Sequence, residues 1–328
     1  MACYNPMQAW QSQSGTIYFL DKTRRATMPA RIAPDFRRYL TIPCGQCIGC
    51  KLDTAENWTT RCLHEAKTHD SNCFLTLTID PKIADGSQRE KINPLSKTAA
   101  QEVATELKGS LNKRTHTLFV KRLRHLTTHQ IKFYMCGEYG EQYSKPHYHY
   151  LVFGYDFPDR KYLKKSKSGA KLYTSETLNK LWPYGHAWIG DVTSESCGYV
   201  ARYVTKKLTG EPAKTAYTKY DDEGIPWTIQ PEFCLMSRNP GIGSTFYDRY
   251  NSDFFPSDQV WIYNKTAKMP RYYSDKLKKT NEELYNQIKK ERERKAELHA
   301  EDNTPARLDD RERVTRAKLN QRKRDLTC

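Results

Sequence analysis

Apolar and polar residues alternate from Phe74 to Ile79, which predicts a strand. Leu75, Leu77 and Ile79 share one face; Thr76 and Thr78 share the other. Asp80-Pro81 ends it. The same period predicts strands over Ile131–Glu138 and His147–Phe153, joined by a polar connection from Tyr139 to Pro146 as an antiparallel pair. Helical spacing predicts a helix from Thr54, as N-cap, to Lys67, with Trp58, Cys62 and Glu65 three or four apart. Val103, Leu107, Leu111 and then Leu118 to Leu123 give helical spacing over Ala99–Leu123, interrupted around Gly109–Thr117. A short helix is expected at Ser175–Leu181 and a strand at Ala187–Val192. A helix is expected at Glu195–Leu208, capped by Thr193 or Ser194 and stopped by Gly210 and Pro212.

The remaining segments lack such periods. Residues 1–43 read as an irregular, Pro-containing arm with one short strand at Thr16–Leu20, and residues 44–70 as a Cys-rich segment and helix. A core at 71–210 is followed by a Tyr-, Pro- and Gly-rich region at 211–270. The last stretch, 271–328, is a charged helix or a disordered tail.

Composition narrows the class. Lys and Arg number 54 against 38 acidic residues, a net charge of +16. That excess attracts polyanions, of which nucleic acid is the commonest. Aromatics reach 12%, with 22 tyrosines, and aromatic faces stack on unpaired bases. No apolar stretch approaches the ~20 residues needed to span a bilayer, and no charged start precedes an apolar run, so neither membrane nor secretory signal is expected. A cytoplasmic location follows, in which the ten cysteines are thiols or metal ligands.

Candidate chemistry sits on the predicted elements. His147 and His149, two apart on a strand, point to one side and can converge on a divalent cation. Glu138 ends the preceding strand where His147 begins the next, and can supply a third ligand; Glu141 competes from the loop. Tyr199 and Tyr203 lie four apart on a predicted helix, so their phenols share a face, with Lys206 close to that face and Lys207 further round. A phenol with a pKa of about 10 needs help to attack; a cation supplies it. Cys44, Cys47 and Cys50 have C-x2-C-x2-C spacing, and Cys62 or His64 could complete a tetrahedral structural Zn2+ site. Lys161, Lys164, Lys165, Lys167 and Lys171 form a basic loop that, with Arg202 and Lys207, can contact phosphates. Asn239–Gly243 could offer backbone amides to a phosphate.

Taken in order, these motifs resemble those of the HUH endonucleases, and among them the rolling-circle replication initiators. Phe74-Leu75-Thr76-Leu77-Thr78 is similar to their first motif, Pro146-His147-Tyr148-His149 to the second and Tyr199–Lys206 to the third. The middle position of the second motif is usually aliphatic; Tyr148 departs from that, although an aromatic still packs. Paired tyrosines resemble the initiators of small single-stranded DNA phages. Gly137-Glu138-Tyr139-Gly140 and the upstream Cys44–Cys50 run resemble the gokushovirus branch of the Microviridae.

The resemblance implies an α+β fold, a central antiparallel sheet with flanking helices. It implies Mg2+- or Mn2+-dependent nicking of an origin strand by one tyrosine, leaving a 5′-phosphotyrosine and a free 3′-OH. The second tyrosine then rejoins the displaced strand. Implied partners are single-stranded and replicative-form circular DNA, a host polymerase and a host helicase. Alternatives are a plasmid or transposon HUH nuclease, or a non-catalytic zinc-containing single-strand binding protein.

Overall fold

A computed structural model describes residues 3–19, 35–80, 109–140, 144–166, 168–203, 211–220, 223–262 and 265–321. The chain divides into two compact units, 1–54 with 282–323, and 55–281 with 324–328.

In the first unit, β1 (Met7–Ser12), β2 (Ile17–Phe19) and β3 (Phe36–Ile42) form an antiparallel sheet of order β2-β1-β3. The arm read as irregular is therefore mostly sheet in its described part. Its alternation is short and its outer face exposed, so little apolar period betrays it. Trp10 stacks on Tyr18 at 4.3 Å and joins the sheet to itself.

The helix α1 (Ile48–Ala66) starts six residues before its expected N-cap. Thr54 does not cap it; its Oγ1 donates to Cys50 O at 3.0 Å, a back-bond inside the helix.

The second unit is built on β4 (Asn72–Thr78), α2 (Lys113–Arg124), β5 (Lys132–Tyr139), β6 (Pro146–Phe153), β7 (Lys161–Lys165), β8 (Lys171–Thr174), α3 (Glu176–Leu181), β9 (Ala187–Gly190) and α4 (Ser194–Arg202). After α5 (Glu211–Tyr217) come the short pair β10 (Thr218–Tyr220) and β11 (Pro226–Thr228), then β12 (Phe233–Met236) and α6 (Ser244–Phe254). A second short pair, β13 (Gln259–Ile262) and β14 (Lys265–Lys268), precedes α7 (Arg271–Thr280). Seven strands form one sheet of order β12-β5-β6-β4-β9-β8-β7, every pairing antiparallel. The mixed architecture with a large antiparallel sheet is as expected from the resemblance.

Strand alternation divides the core between the two sheet faces. Leu75, Leu77, Met135, Tyr148, Tyr150 and Val152 pack with Phe119, Val120 and Leu123 of α2 and Leu178 of α3. Phe74, Tyr134, Cys136, Leu151 and Phe153 pack with Cys62 and Leu63 of α1 and with Cys197, Tyr199, Val200 and Tyr203. Tyr148 is fully buried on the first of these faces. Its hydroxyl accepts from Asn112 N at 2.9 Å and donates to Asn112 O at 3.2 Å, which satisfies the polar end of the atypical aromatic.

Helices α8 (Glu282–Glu297) and α9 (Pro305–Asn320) belong to the first unit. They are the charged stretch read from sequence, and most of their residues are exposed.

Candidate active site

The site lies at one end of the β5–β6–β4 ladder. On the β5 side, Glu138 is directly opposite His147 and Cys136 opposite His149. On the β4 side, Thr78 is opposite His147 and Thr76 opposite His149. Period-2 geometry then puts Glu138, His147, His149, Thr76 and Thr78 on one sheet face.

His149 is almost fully buried. Its Nε2 lies 2.8 Å from Glu138 Oε1 and its Nδ1 lies 3.1 Å from Thr76 Oγ1. The ring also stacks on Phe74 at 5.8 Å. His147 is half-buried, and its Nδ1 donates to the carbonyl of Lys145 at 2.7 Å. That bond fixes the proton on Nδ1 and leaves the Nε2 lone pair as the ligand electrons. Burial, and then the neighbouring His149, push the His147 pKa below its ordinary value. Gly140 makes room for this ring: a Cβ there would stand 3.0 Å from His147 Cε1.

A cavity of about 230 Å3 opens on these groups, lined by Thr76, Thr78, Glu138, His147, His149 and, from β9 and its approach, His186 and Trp188. His186 Nε2 is 3.8 Å from Asp80 Oδ2 and its ring stacks on Trp188 at 5.5 Å. Thr76, Asp80, His186 and Trp188 are not among the site residues expected from sequence. The alternation of β4 does place Thr76 on the polar face; nothing local marks His186 and Trp188, which arrive through the β4–β9 pairing.

The tyrosine helix α4 is capped by Thr193. Its Oγ1 accepts from Ser196 N at 3.2 Å, while Ser196 Oγ accepts from Thr193 N at 2.8 Å. Tyr203 is its C-cap. Both phenol rings pack on His149, Tyr199 edge-on at 5.1 Å and Tyr203 stacked at 5.7 Å, and on each other at 4.9 Å. Tyr199 Oη donates to Glu138 Oε1 at 3.4 Å. Burial, then the charges of Glu138 and Tyr199, drive the Tyr203 pKa far up, so the resting phenol is protonated. Each tyrosine is 6% exposed. Arg202 is exposed. Lys206, Lys207, Lys167 and Glu141 lie outside the described residues.

The basic segment is not a loop but the β7–β8 hairpin at the sheet edge. Lys161, Lys164, Lys165 and Lys171 are all exposed on it, and Lys164 Nζ sits 5.2 Å above the Trp188 ring. Asn239–Gly243 has another use: Gly243 N donates to Glu65 Oε2 at 2.6 Å.

The cysteine expectation needs a correction. Among the described residues, the thiols whose sulfurs all lie within 4.8 Å of one another are Cys3, Cys44, Cys47 and Cys50. Cys62 is elsewhere, fully buried in the core beside α4. It stands twelve residues after Cys50 on one continuous helix, about 18 Å of rise, which no single ion spans. His64 is equally remote, bonded through Nδ1 to Tyr273 Oη at 3.0 Å and stacked on Phe246 at 4.1 Å.

An antiparallel α+β unit that presents a histidine pair, a carboxylate and two tyrosines on one sheet face defines the class of protein. Comparison with known proteins carries it further. Residues 72–208 match the family of the replication-associated protein ORF2. The chain is similar to replication-associated protein VP4 of Bdellovibrio phage phiMH2K, 28% identical over 87% of this chain and 80% of that protein. It is similar to replication-associated protein ORF2 of Spiroplasma virus 4, 28% identical over 90% of this chain and 87% of that one. Replication-associated protein ORF4 of Chlamydia phage 1 is 24% identical over 76% of this chain and 58% of its own length. No solved structure matches. The resemblance to Microviridae-type rolling-circle initiators, read from the motifs, is borne out. No described helix is long and apolar enough to cross a membrane.

Proposed function

We propose that this protein initiates rolling-circle replication by nicking and rejoining single-stranded DNA through Tyr199 and Tyr203. The observation that carries this reading is the packing of both phenols on His149, whose ring is bonded to Glu138 across the ladder from His147. A purely structural tyrosine pair has no need of a histidine–carboxylate site beneath it.

The donor set fits a divalent cation. His147 has its Nδ1 anchored to a carbonyl, so Nε2 is the ligand atom. His149 has Thr76 at Nδ1 and Glu138 at Nε2. A proton on Nε2 makes that last contact now; with a cation there, the proton moves to Nδ1 and Thr76 accepts it. Two imidazoles and one carboxylate leave positions for phosphate oxygens and suit Mn2+ or Mg2+. The cation would supply polarisation of the scissile phosphate and offset the charge of an attacking phenolate.

The chain's own residues do the rest. One phenol oxygen attacks phosphorus, the P–O3′ bond breaks, and the products are a 5′-phosphotyrosine and a 3′-OH. Glu138, already accepting from Tyr199, is placed to receive the phenolic proton. The second tyrosine repeats the attack at a new junction, and the 3′-OH of the displaced strand returns on the first phosphotyrosine. Bond energy is conserved, so joining needs no nucleotide. Lys206 is assigned to stabilise phosphate charge, and a host polymerase and helicase to use the 3′-OH and open the duplex. At 6% exposure neither phenol meets a phosphate as packed, so DNA binding must uncover one of them. The exposed lysines of β7–β8 lead to the cavity rim at Trp188 and form the proposed DNA path.

The test is incubation with single-stranded origin DNA and Mn2+, followed by a denaturing gel. A covalent protein–DNA adduct is expected in wild type, reduced in Tyr199→Phe or Tyr203→Phe and absent in the double variant and in His147→Ala. Retained DNA binding with no adduct across candidate origins would instead indicate a single-strand binding protein.

A further inference from the structure

Cys3 is separated by about forty residues from the cysteine run, and no spacing rule connects them. The fold does. Cys3 Sγ lies 3.6 Å from Cys44 Sγ and 3.9 Å from Cys47 Sγ, and Cys50 completes the group. Tetrahedral bonds of about 2.3 Å to zinc put neighbouring sulfurs ~3.8 Å apart. A disulfide would need about 2.0 Å. The observed separations suit the metal and not the bond.

The backbone is also arranged for thiolates. Cys44 N donates to Cys3 Sγ at 3.2 Å, Cys47 N to Cys44 Sγ at 3.3 Å and Tyr4 N to Cys47 Sγ at 3.3 Å. Such bonds spread the charge of deprotonated sulfurs. Gly45, with φ +72°, makes the tight turn that brings the Cys47 amide onto Cys44. Cys50 lies in the first turn of α1, where the helix end favours negative charge. Cys3, Cys47 and Cys50 are buried, and Tyr4 packs against them.

We propose that Cys3, Cys44, Cys47 and Cys50 hold one structural Zn2+ that pins the N-terminus to the β3–α1 junction. On binding, each thiol releases its proton, four in all, and no electron changes hands. Four protein ligands close the coordination sphere, so the ion is structural. Its energetic role follows from the unit it sits in. The first unit has few buried apolar residues, and its β-sheet is largely exposed. A small core of this kind commonly needs a metal or disulfide. The loop that the site closes, between Cys3 and Cys44, carries β1 to β3.

The experiment uses the full chain, purified under reducing conditions, with metal content measured by mass spectrometry. One zinc per chain is expected, retained in Cys62→Ser and His147→Ala and lost in Cys3→Ser. Replacement by Co2+ in wild type should give the near-ultraviolet thiolate charge-transfer and intense visible bands of a tetrahedral sulfur site. This readout does not depend on a variant folding, and a bound cation at His147 and His149 would not produce it. Cys3→His should restore zinc with a shifted cobalt spectrum. Zinc lost from Cys62→Ser but kept in Cys3→Ser overturns the ligand set. A mapped disulfide between these cysteines with no metal, or iron with sulfide in place of zinc, overturns the site. None of these outcomes depends on nicking, so the two proposals fail independently.

Discussion

Thr76 is the residue on which the orientation of His149 depends. Its Oγ1 meets the buried Nδ1 at 3.1 Å. Thr76→Val keeps the shape and removes the hydrogen bond. Partners that orient a ligating histidine typically contribute 10–100-fold in metal affinity or activity. The Mn2+ concentration for half-maximal adduct formation should therefore rise by about 10-fold or more, with the thermal unfolding midpoint little changed. An unaltered Mn2+ dependence would remove Thr76 from the site. Glu65 shows a different residue-scale logic. It is fully buried, yet Lys132 Nζ at 2.8 Å, His69 Nε2 at 3.0 Å and Gly243 N at 2.6 Å converge on it. Burial alone would raise its pKa; those hydrogen bonds overcome it and hold the carboxyl below its ordinary value of 4.5. Glu65→Gln leaves the Lys132 ammonium buried without its counter-charge, which costs about 3–5 kcal/mol. Urea denaturation near neutral pH reads that loss.

At the scale of elements, the hairpin β7–β8 separates binding from chemistry. Lys161, Lys164 and Lys165 are exposed and away from the tyrosines. Replacing all three by Ala should weaken single-stranded DNA binding and flatten its salt dependence by ~0.7 for each phosphate no longer bound. The rate of adduct formation at saturating DNA should stay near wild type. A steep loss at saturation would move these lysines from the path into the reaction. The elements around the site were legible because their periods are clean: β4, β5 and β6 alternate over their whole length, and Thr193 and Ser175 cap α4 and α3. What sequence hid was long-range pairing. His186 and Trp188 reach the cavity only because β9 pairs with β4, and Cys3 reaches Cys44 only because the arm is a sheet. The early start of α1 was hidden by chemistry, since Thr54 looks like a cap but back-bonds within the helix.

Over the second unit as a whole, two histidines are buried without charge, one on each face of the sheet. His116 of α2 is bonded through Nδ1 to Tyr150 Oη at 3.0 Å, and His64 of α1 to Tyr273 Oη. Burial, and then Arg124 and Lys67 respectively, bring their pKa values down to about 4 and about 3. The unfolded chain titrates both near 6.5. Between those limits the unfolded state binds more protons than the native one, so stability rises with pH there. The contribution is fully present above pH 6.5 and is lost as pH falls toward the folded values. Each histidine adds a slope of about 1.4 kcal/mol per pH unit at most, well below its unfolded pKa. Urea midpoints measured from neutrality down to about pH 4.5 should fall steadily in wild type. His64→Phe places a ring of similar size among Phe246, Phe254 and Tyr273 without a titrating group, so its midpoint should fall less steeply over the same range even if its neutral-pH stability is lower. Parallel curves for the two proteins would mean that His64 charges in the native state as readily as in the unfolded one, and the buried, neutral assignment would be wrong.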